Sequence, residues 1–392
     1  MRALLRPKNR GLLRQPLACS GTAANPPRRI ASLLHVWLGV VAALSGACSR
    51  KPPPPQPYLA YVANHQSNTV AVVDLGQFRP VASIPVAASP ERVVVRPHRR
   101  EIWVVASGTL DIVGFPEHRV VKRLRIGPSA RDLVFAVDGR RAFVVEPAEG
   151  QLVFLDCDSA RELARVHVGK QPSGLALTPD GKTLVVADRV TQRLFFVGVE
   201  SRKMLGSVEV GKAPGPLVIL PDSTKVFVAD TGEERITVAD VASRQILSHI
   251  ELAARPSALV LKPDGGELFA LSDRSAMLII LDAFHYNVQQ NLTTGREPIA
   301  GVVRKDSSVL YFATAGDGSI TALDIANRAI LATTHAGTEP RALALTPDER
   351  FLVVADSASG SLAVLRTDRA GLVTTSPVGS RPVDVVIPDW LL

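Results

Sequence analysis

Aromatic residues are scarce in this sequence, since Phe, Trp and Tyr together make up 5% of its 392 residues. Proteins that bind single-stranded nucleic acid stack the bases on aromatic side chains. A stacking platform of that kind has little to build on here. The composition therefore argues against a nucleic-acid partner.

Cysteine is scarcer still, with Cys19, Cys48 and Cys157 alone in the chain. Two of the three lie in the first 48 residues, so the remainder cannot form an internal disulfide and must be stabilised by packing. No C-x-x-C-H sequence is present, which excludes covalently attached c-type haem. A lone cysteine at the end of an apolar strand is typical of a small buried thiol, and we expect that role for Cys157.

Acidic residues are missing from the N-terminal part, where no Asp or Glu precedes Asp74 but seven of the 45 Lys and Arg residues precede Cys48. Without those seven, the chain has one basic residue more than its 37 acidic ones. The formal charge of +8 thus belongs to the leader and gives no support to a phosphate-binding surface.

The first 47 residues have the order of an export signal, with a basic region, an apolar run from Ile30 to Ala47, and small residues before Cys48. The sequence LSGAC at residues 44–48 resembles a bacterial lipoprotein box, in which the cysteine is lipidated and becomes the mature N-terminus. We therefore expect lipidation of Cys48, a stiff proline-rich spacer over residues 48–57, and attachment to a bacterial envelope membrane on its periplasmic or extracellular side. The alternative is an uncleaved anchor, because 18 largely apolar residues reach the lower limit for spanning a bilayer.

A 42-residue repeat organises the rest of the chain. Its clearest copy begins at Gln171 and ends at Asp188. The proline near its start recurs at Pro172, Pro214, Pro256, Pro298, Pro340 and Pro382. A fixed period in this range marks a repeat architecture, and a period built of short strands and turns is typical of a β-propeller blade.

Each repeat holds four strand-like runs, called A to D. In the copy that begins at Pro172 they cover residues 172–181, 182–188, 192–199 and 203–211. Alternating polarity and β-branched content favour strands, so almost no helix is expected. Eight such units fill residues 58–392 and predict one all-β domain, a β-propeller of eight four-stranded antiparallel blades, with seven blades as the alternative.

The two ends of the repeat region are complementary. The first run, Leu59 to Asn64, matches a B strand, whereas the last, Arg381 to Trp390, matches an A strand. One strand from each terminus then completes a single blade, which closes the ring and leaves no unpaired edge within it.

The sequence YVAN at residues 61–64, followed by SNTVAVVD, resembles the signature of YVTN or YncE-like β-propeller proteins, and residues 185–188, 227–230 and 352–356 echo it. The resemblance covers the chain from Tyr58 onward. It implies a secreted or surface-attached propeller, commonly with seven blades, and implies little about function.

Two columns of polar residues run through the repeats. The first closes strand C at Asp74, Asp156, Asp240, Asp282 and Asp324. An Asp at a strand end accepts hydrogen bonds from nearby backbone N–H groups and fixes the turn. Recurrence in most blades indicates this structural role, because a single active site needs no copies.

The second column closes strand B, at the end of the propeller where ligands usually bind. Its polar residues, together with arginines just before strand A, are the candidate binding residues: Asn64, Glu146, Asp188, Asp230, Arg255, Asp356 and Arg381. The alternative for the carboxylates is turn capping. A calcium ion needs six to eight converging oxygens, and side chains on separate blades need not converge, so no metal is predicted.

No catalytic motif is present. The histidines fall away from the propeller axis, since His167, His249 and His335 lie in outer D strands and His285 in a turn. Metal or d1-type haem ligation needs histidines near the axis, so no catalytic residue and no cofactor is predicted.

The sequence thus predicts a non-enzymatic, monomeric propeller attached to the envelope, presenting one face to a protein, peptide or glycan. The alternative is a hydrolase resembling propeller lactonases. That alternative requires a carboxylate or histidine close to an arginine inside the channel funnel.

Replacing Cys48 with Ser tests the membrane attachment. We expect the variant to leave the membrane fraction, because the lipid has no other site of attachment. The measurement is the partition of the protein between membrane and soluble fractions, with Cys157→Ser as the control. Retention of the Cys48→Ser variant in the membrane would establish the uncleaved anchor instead.

Overall fold

The computed structural model describes residues 58–368 and 371–390. The predicted leader, the apolar run and Cys48 with its spacer therefore lie outside the described residues. No helix in the described part is long and apolar enough to cross a membrane.

Thirty-two strands form eight four-stranded antiparallel sheets, which are the blades of a propeller. Blade I contains β1 (Leu59–Asn64), β2 (Thr69–Asp74), β3 (Arg79–Pro85) and β32 (Pro382–Val386). Blade II contains β4 (Arg92–Val95), β5 (Glu101–Ala106), β6 (Thr109–Gly114) and β7 (Arg119–Arg125). Blade III contains β8 (Asp132–Phe135), β9 (Arg141–Glu146), β10 (Gln151–Asp156) and β11 (Arg161–His167). Blade IV contains β12 (Pro172–Leu177), β13 (Thr183–Asp188), β14 (Arg193–Gly198) and β15 (Met204–Glu209).

The second half of the ring repeats this arrangement. Blade V contains β16 (Pro214–Ile219), β17 (Lys225–Asp230), β18 (Arg235–Asp240) and β19 (Ile246–Glu251). Blade VI contains β20 (Ala258–Leu261), β21 (Glu267–Ser272), β22 (Met277–Asp282) and β23 (Asn287–Thr293). Blade VII contains β24 (Pro298–Val303), β25 (Val309–Thr314), β26 (Ser319–Asp324) and β27 (Ala329–His335), and blade VIII contains β28 (Pro340–Leu345), β29 (Phe351–Asp356), β30 (Ser361–Arg366) and β31 (Leu372–Pro377). The eight-blade prediction is confirmed, and the helical content of the described residues is one 3-10 turn, Ala315–Asp317.

Blade I closes the ring, as the complementary ends predict. Strand β32 pairs antiparallel with β1, with Tyr61 opposite Val386 and Val62 opposite Val385. The strand is shorter than the predicted segment and ends at Val386, two residues before Pro388, which has no N–H to donate to a ladder.

The core lies between neighbouring blades. Phe143 and Phe154 of blade III pack with Leu184 and Val186 of blade IV, and the other clusters repeat this arrangement around the ring. Strands B and C are covered on both faces by adjacent blades, which explains their nearly continuous apolar sequences. The outer D strands are largely exposed and carry charged side chains, as β7 and β11 do.

The carboxylates that close strand C fix the following turn, as predicted. Asp74 Oδ1 accepts the backbone N–H groups of Gly76 and Gln77 at 2.7 and 3.0 Å. Asp156 accepts both the backbone N–H and the hydroxyl of Ser159, and these hydrogen bonds lower the pKa of Asp156. The first polar column is therefore structural.

Removal of residues 381–392 tests the ring closure. We expect the protein to aggregate or to open at blade I, because the deletion uncovers the edge of β1 and removes, among others, the apolar side chains of Val383, Val385, Val386 and Ile387. At about 1.5 kcal/mol for each side chain the loss is about 6 kcal/mol, comparable with the whole free energy of unfolding of many domains.

Two point variants provide the finer measurement. Val385 is buried, whereas Val373 on the outer strand β31 is 40% exposed. Thermal unfolding of Val385→Asp should begin at a much lower temperature than that of Val373→Asp. Equal melting temperatures for these two variants would contradict the closure.

Candidate functional site

One end of the ring is built from the B–C turns together with the crossovers that lead from strand D into strand A of the next blade. His65 N donates to Arg381 O at 2.9 Å, Arg189 N to Gln171 O at 3.0 Å, and Ala315 N to Glu297 O at 2.9 Å. These hydrogen bonds place both kinds of loop at the same end. We call this end the mouth face.

The polar residues that close strand B lie beneath the mouth face and not on its surface. The side chains of Asn64, Glu146, Asp188, Asp230 and Asp356 are fully buried. Each is covered by the crossover that enters its own blade.

Their hydrogen bonds explain this burial. Glu146 accepts the backbone N–H groups of Ser129 and Glu149, both at 2.8 Å. Asp356 accepts the backbone N–H groups of Thr338 and Glu339, both at 2.7 Å. Asn64 donates to Val378 O at 3.0 Å.

Asp188 makes the same connection in blade IV. It accepts the backbone N–H of Gln171 on the crossover and, through Oδ1, the N–H of Thr191 at 2.6 Å. These carboxylates satisfy crossover N–H groups that would otherwise be buried without a partner.

The crossover has a glycine at the point where it passes over the carboxylate that closes strand B. A β-carbon added to Gly169 would lie 2.4 Å from Cγ of Asp188, and one added to Gly337 would lie 2.0 Å from Oδ2 of Asp356. Two crossovers have alanine in this position, and in both blades strand B ends in a short residue. Ala87 leads into blade II, where strand B ends in Ala106, and Ala253 leads into blade VI, where it ends in Ser272. Glycine in the crossover thus leaves room for a large polar side chain at the end of strand B, a carboxylate in blades IV and VIII and Asn64 below Gly379 in blade I.

In blade II the buried carboxylate under the crossover lies on strand C and not at the end of strand B. Its strand B ends in Ala106, and the buried Asp111 of strand β6 accepts the N–H of Ala87 at 2.7 Å. Arg123 binds the same carboxylate through two nitrogens, at 2.6 and 2.7 Å. Periodicity did not identify Asp111, because it lies outside both polar columns.

Blade V leaves its carboxylate without a backbone donor. Asp230 Oδ2 accepts the Thr237 hydroxyl at 2.6 Å and Arg235 Nε at 3.3 Å, whereas Oδ1 has no partner. In this blade Glu233 accepts the crossover hydrogen bond instead, from the N–H of Lys212 at 3.0 Å. Burial is the main cause that raises the pKa of Asp230 to about 6.

The two candidate arginines are exposed on the mouth face but lie apart. Arg381 belongs to the crossover into blade I, and its carbonyl holds His65. Arg255 lines a cavity of about 520 Å³, the mouth cavity, which spans blades III to VI. The other charged residues of this cavity are Arg131, Arg189, Asp273 and Arg274. Of the seven candidate residues, Arg255 alone lines it.

A second cavity of about 380 Å³ adjoins the first along the channel and shares Arg131, Ser173 and Pro216 with it. Inside it Arg92 Nη1 lies 2.6 Å from Asp132 Oδ1, and Arg92 Nε lies 3.9 Å from Asp384 Oδ2. Burial raises the pKa of Asp132 and of Asp384, and Arg92 acts in the opposite direction. A carboxylate beside an arginine in the funnel, which the hydrolase alternative requires, is therefore present.

Both carboxylates also accept a backbone N–H group, Asp384 from the neighbouring blade and Asp132 from its own strand. Asp384 of blade I accepts the N–H of Val93 in blade II at 3.0 Å. Asp132 accepts the N–H of Leu133 at 2.9 Å. They satisfy donors on innermost strands, whose channel-facing edges have no neighbouring strand.

Within the described residues, no group of three His, Cys, Asp or Glu side chains could hold a metal ion. Cys157 is buried, as predicted, and this burial raises the pKa of its thiol to about 12. A thiol with that pKa is not a nucleophile at neutral pH.

Residues 199–374 match the family described as YNCE-like beta-propeller, which confirms the resemblance over that range. No curated protein matches the sequence. Among solved structures, the dihydro-heme d1 dehydrogenase NirN in complex with DHE has a TM-score of 0.74 at 17% identity, with 90% of this chain and 85% of that chain covered.

Two further structures are similar. Hydrazine synthase from Kuenenia stuttgartiensis has a TM-score of 0.54 at 20% identity, with 64% of this chain and 87% of that chain covered. A functionally unknown protein from Desulfotomaculum acetoxidans DSM 771 has a TM-score of 0.58 at 14% identity, with 76% of this chain and 99% of that chain covered. At these identities the similarity extends to the fold alone.

Replacing Asp230 with Asn tests the buried carboxylate of blade V, which accepts no backbone N–H group. Its pKa is higher in the folded protein than in the unfolded chain, so Asp230 favours folding below about pH 4, and this contribution is lost as the pH rises through 6. We expect Asp230→Asn to raise the free energy of unfolding at pH 7 by about 2–3 kcal/mol and to flatten the pH dependence between 4 and 6.

The matched control is Asp188→Asn in the neighbouring blade. An amide cannot replace a carboxylate that accepts N–H groups on both oxygens, so this variant should lose stability at pH 7. Denaturant unfolding at pH 4, 6 and 7 measures both effects. Equal destabilisation by the two substitutions would contradict this account of Asp230.

Proposed function

We propose that this chain, whose residues 199–374 match the YNCE-like β-propellers, is a non-enzymatic binding protein of the bacterial envelope that presents its mouth face to a protein, peptide or glycan partner. The mouth cavity carries this proposal. It is concave, it spans four blades, and its arginines project from loops whose backbones are fixed by the hydrogen bonds described above.

The rest of the ring supports a binding role for this face. The described charged residues elsewhere are commonly engaged in ion pairs, such as Arg96 with Glu101 and Arg328 with Glu267. The buried carboxylates under the crossovers hold the loops still, so a partner pays little conformational entropy for ordering them.

One observation favours hydrolysis as a second candidate. Arg92, Asp132 and Asp384 lie together in the channel, and a carboxyl with a raised pKa can act as a general acid or base. The backbone hydrogen bonds that Asp132 and Asp384 accept account for both buried carboxylates without any catalytic role. Binding is therefore preferred.

Capture of partners by the full-length protein tests the proposed function. We expect the unmodified protein to retain a partner from envelope extract or a glycan array. The double variant Arg189→Ala with Thr231→Ala, in the mouth cavity, should retain at least tenfold less of that partner. The control is Arg202→Ala with Lys203→Ala, two exposed residues in the turn between β14 and β15 at the opposite end. Equal retention by both double variants would contradict a binding role for the mouth face.

A lactonase assay decides the second candidate. If the channel group is catalytic, the unmodified protein hydrolyses lactones and Asp132→Asn abolishes the activity without changing the melting temperature by more than a few degrees. Absence of hydrolysis over a panel of lactones would exclude this candidate.

A further inference from the structure

The mouth cavity has an excess of positive charge that the repeat does not require. It is lined by four arginines, Arg131, Arg189, Arg255 and Arg274, and by one carboxylate, Asp273. These arginines do not occupy a common position of the repeat. Arg131 precedes strand A of blade III, Arg189 follows strand B of blade IV, and the other two belong to blade VI.

Three of the four arginines have no carboxylate partner. Arg255 Nε lies 3.7 Å from Glu234 Oε1, whereas Arg131, Arg189 and Arg274 form no ion pair within 4.0 Å among the described residues. Arg341, on the neighbouring part of the mouth face, shows the contrast because it binds Glu339. The guanidinium groups of the cavity are therefore available to a ligand.

The backbone beneath these side chains is fixed. Arg131 N donates to Val145 O at 3.2 Å, Arg189 N to Gln171 O at 3.0 Å, and Arg274 N to Asp273 Oδ1 at 2.8 Å. A ligand therefore has to order the arginine side chains but not the backbone that carries them, which lowers the entropic cost of recognition.

Small residues of blade V make the space between the arginines. Ala213, Gly215 and Gly232 line the cavity, and the two neighbouring blades, IV and VI, carry larger side chains at these positions. A β-carbon on Gly215 would lie 2.8 Å from Cγ2 of Thr231, and one on Gly232 would lie 2.9 Å from Lys212 O, so the backbone is tightly packed there. The resulting volume of about 520 Å³ lies within the usual range of ligand pockets.

We propose that the mouth cavity binds clustered carboxylates, carried by an acidic peptide segment or by a free polycarboxylate. Arginine presents a planar fork of N–H donors that matches a carboxylate in a two-point hydrogen bond. The arginines come from three separate blades, III, IV and VI, which suits several singly charged groups spread along a ligand better than one compact phosphate. This proposal rests on the proposed function and specifies the chemistry of its ligand.

Binding of defined probes to the full-length protein provides the test. The probes are hexaglutamate, hexalysine, citrate and inorganic phosphate, measured by calorimetry at 50 and 200 mM salt. We expect hexaglutamate or citrate to bind and hexalysine not to bind, with affinity falling at higher salt because the contacts are ionic. Binding of hexaglutamate alone identifies a peptide as the source of the carboxylates, and binding of citrate identifies a free polycarboxylate.

A triple variant with Arg131→Gln, Arg189→Gln and Arg274→Gln locates the binding. We expect at least a hundredfold loss of affinity for the carboxylate probe, whereas Arg125→Gln, an exposed arginine on the outer strand β7, should bind normally. Circular dichroism and melting temperature establish that the triple variant is folded. Unchanged affinity in the triple variant, binding of phosphate alone, or binding of none of the probes would overturn the proposal.

The partner-capture experiment separates this proposal from the proposed function. Continued mouth-dependent capture of a partner, with no binding of either carboxylate probe, would reject carboxylate recognition and leave the binding role standing. Carboxylate binding that is lost in the triple variant, without capture of any partner, would support the site and reject the wider function.

Discussion

Pairing between the two ends of the chain is the constraint on which the structure depends. Strand β32 supplies the innermost strand of blade I, and without it the ring has a free edge at β1. Every core cluster lies between two blades, so an opening at one blade weakens the packing of both of its neighbours. The mouth cavity lies across four consecutive blades, III to VI, and depends on the packing between them.

The second layer of organisation is the set of buried carboxylates under the crossovers. Glu146, Asp188 and Asp356 accept N–H groups from the crossovers above them. Blade II uses Asp111 and blade V uses Glu233 for the same purpose. The loops of the mouth face are thereby held to the sheets, and their outward residues are free to differ from blade to blade.

Much of the fold could be predicted from the sequence because the period is strict. The prolines at 42-residue steps locate the A strands, and the match of Leu59 to Asn64 to a B strand predicts the closure. The carboxylates at the ends of strand C were also readable, since an Asp followed by a short turn has one common conformation.

The site was harder to predict, for two physical reasons. A carboxylate at the end of strand B can point to solvent or under the preceding crossover, and the choice depends on the room that a residue such as Gly169 leaves. The arginines of the mouth cavity, by contrast, occupy different positions of different repeats. The repeat pattern identifies residues that most blades have in common, whereas Arg131, Arg189 and Arg274 occupy three different positions of the repeat. The packing of consecutive blades brings them to one cavity.

The closure also determines when the protein can fold. Val62 and Val385 are opposite each other in one sheet although more than 300 residues separate them in the chain. Long-range contacts of this kind are slow to form, and β1 has no inner neighbour until β32 has been synthesised. A nascent chain therefore stays open through most of its synthesis, and the ring becomes resistant to unfolding only after the last blade has been completed.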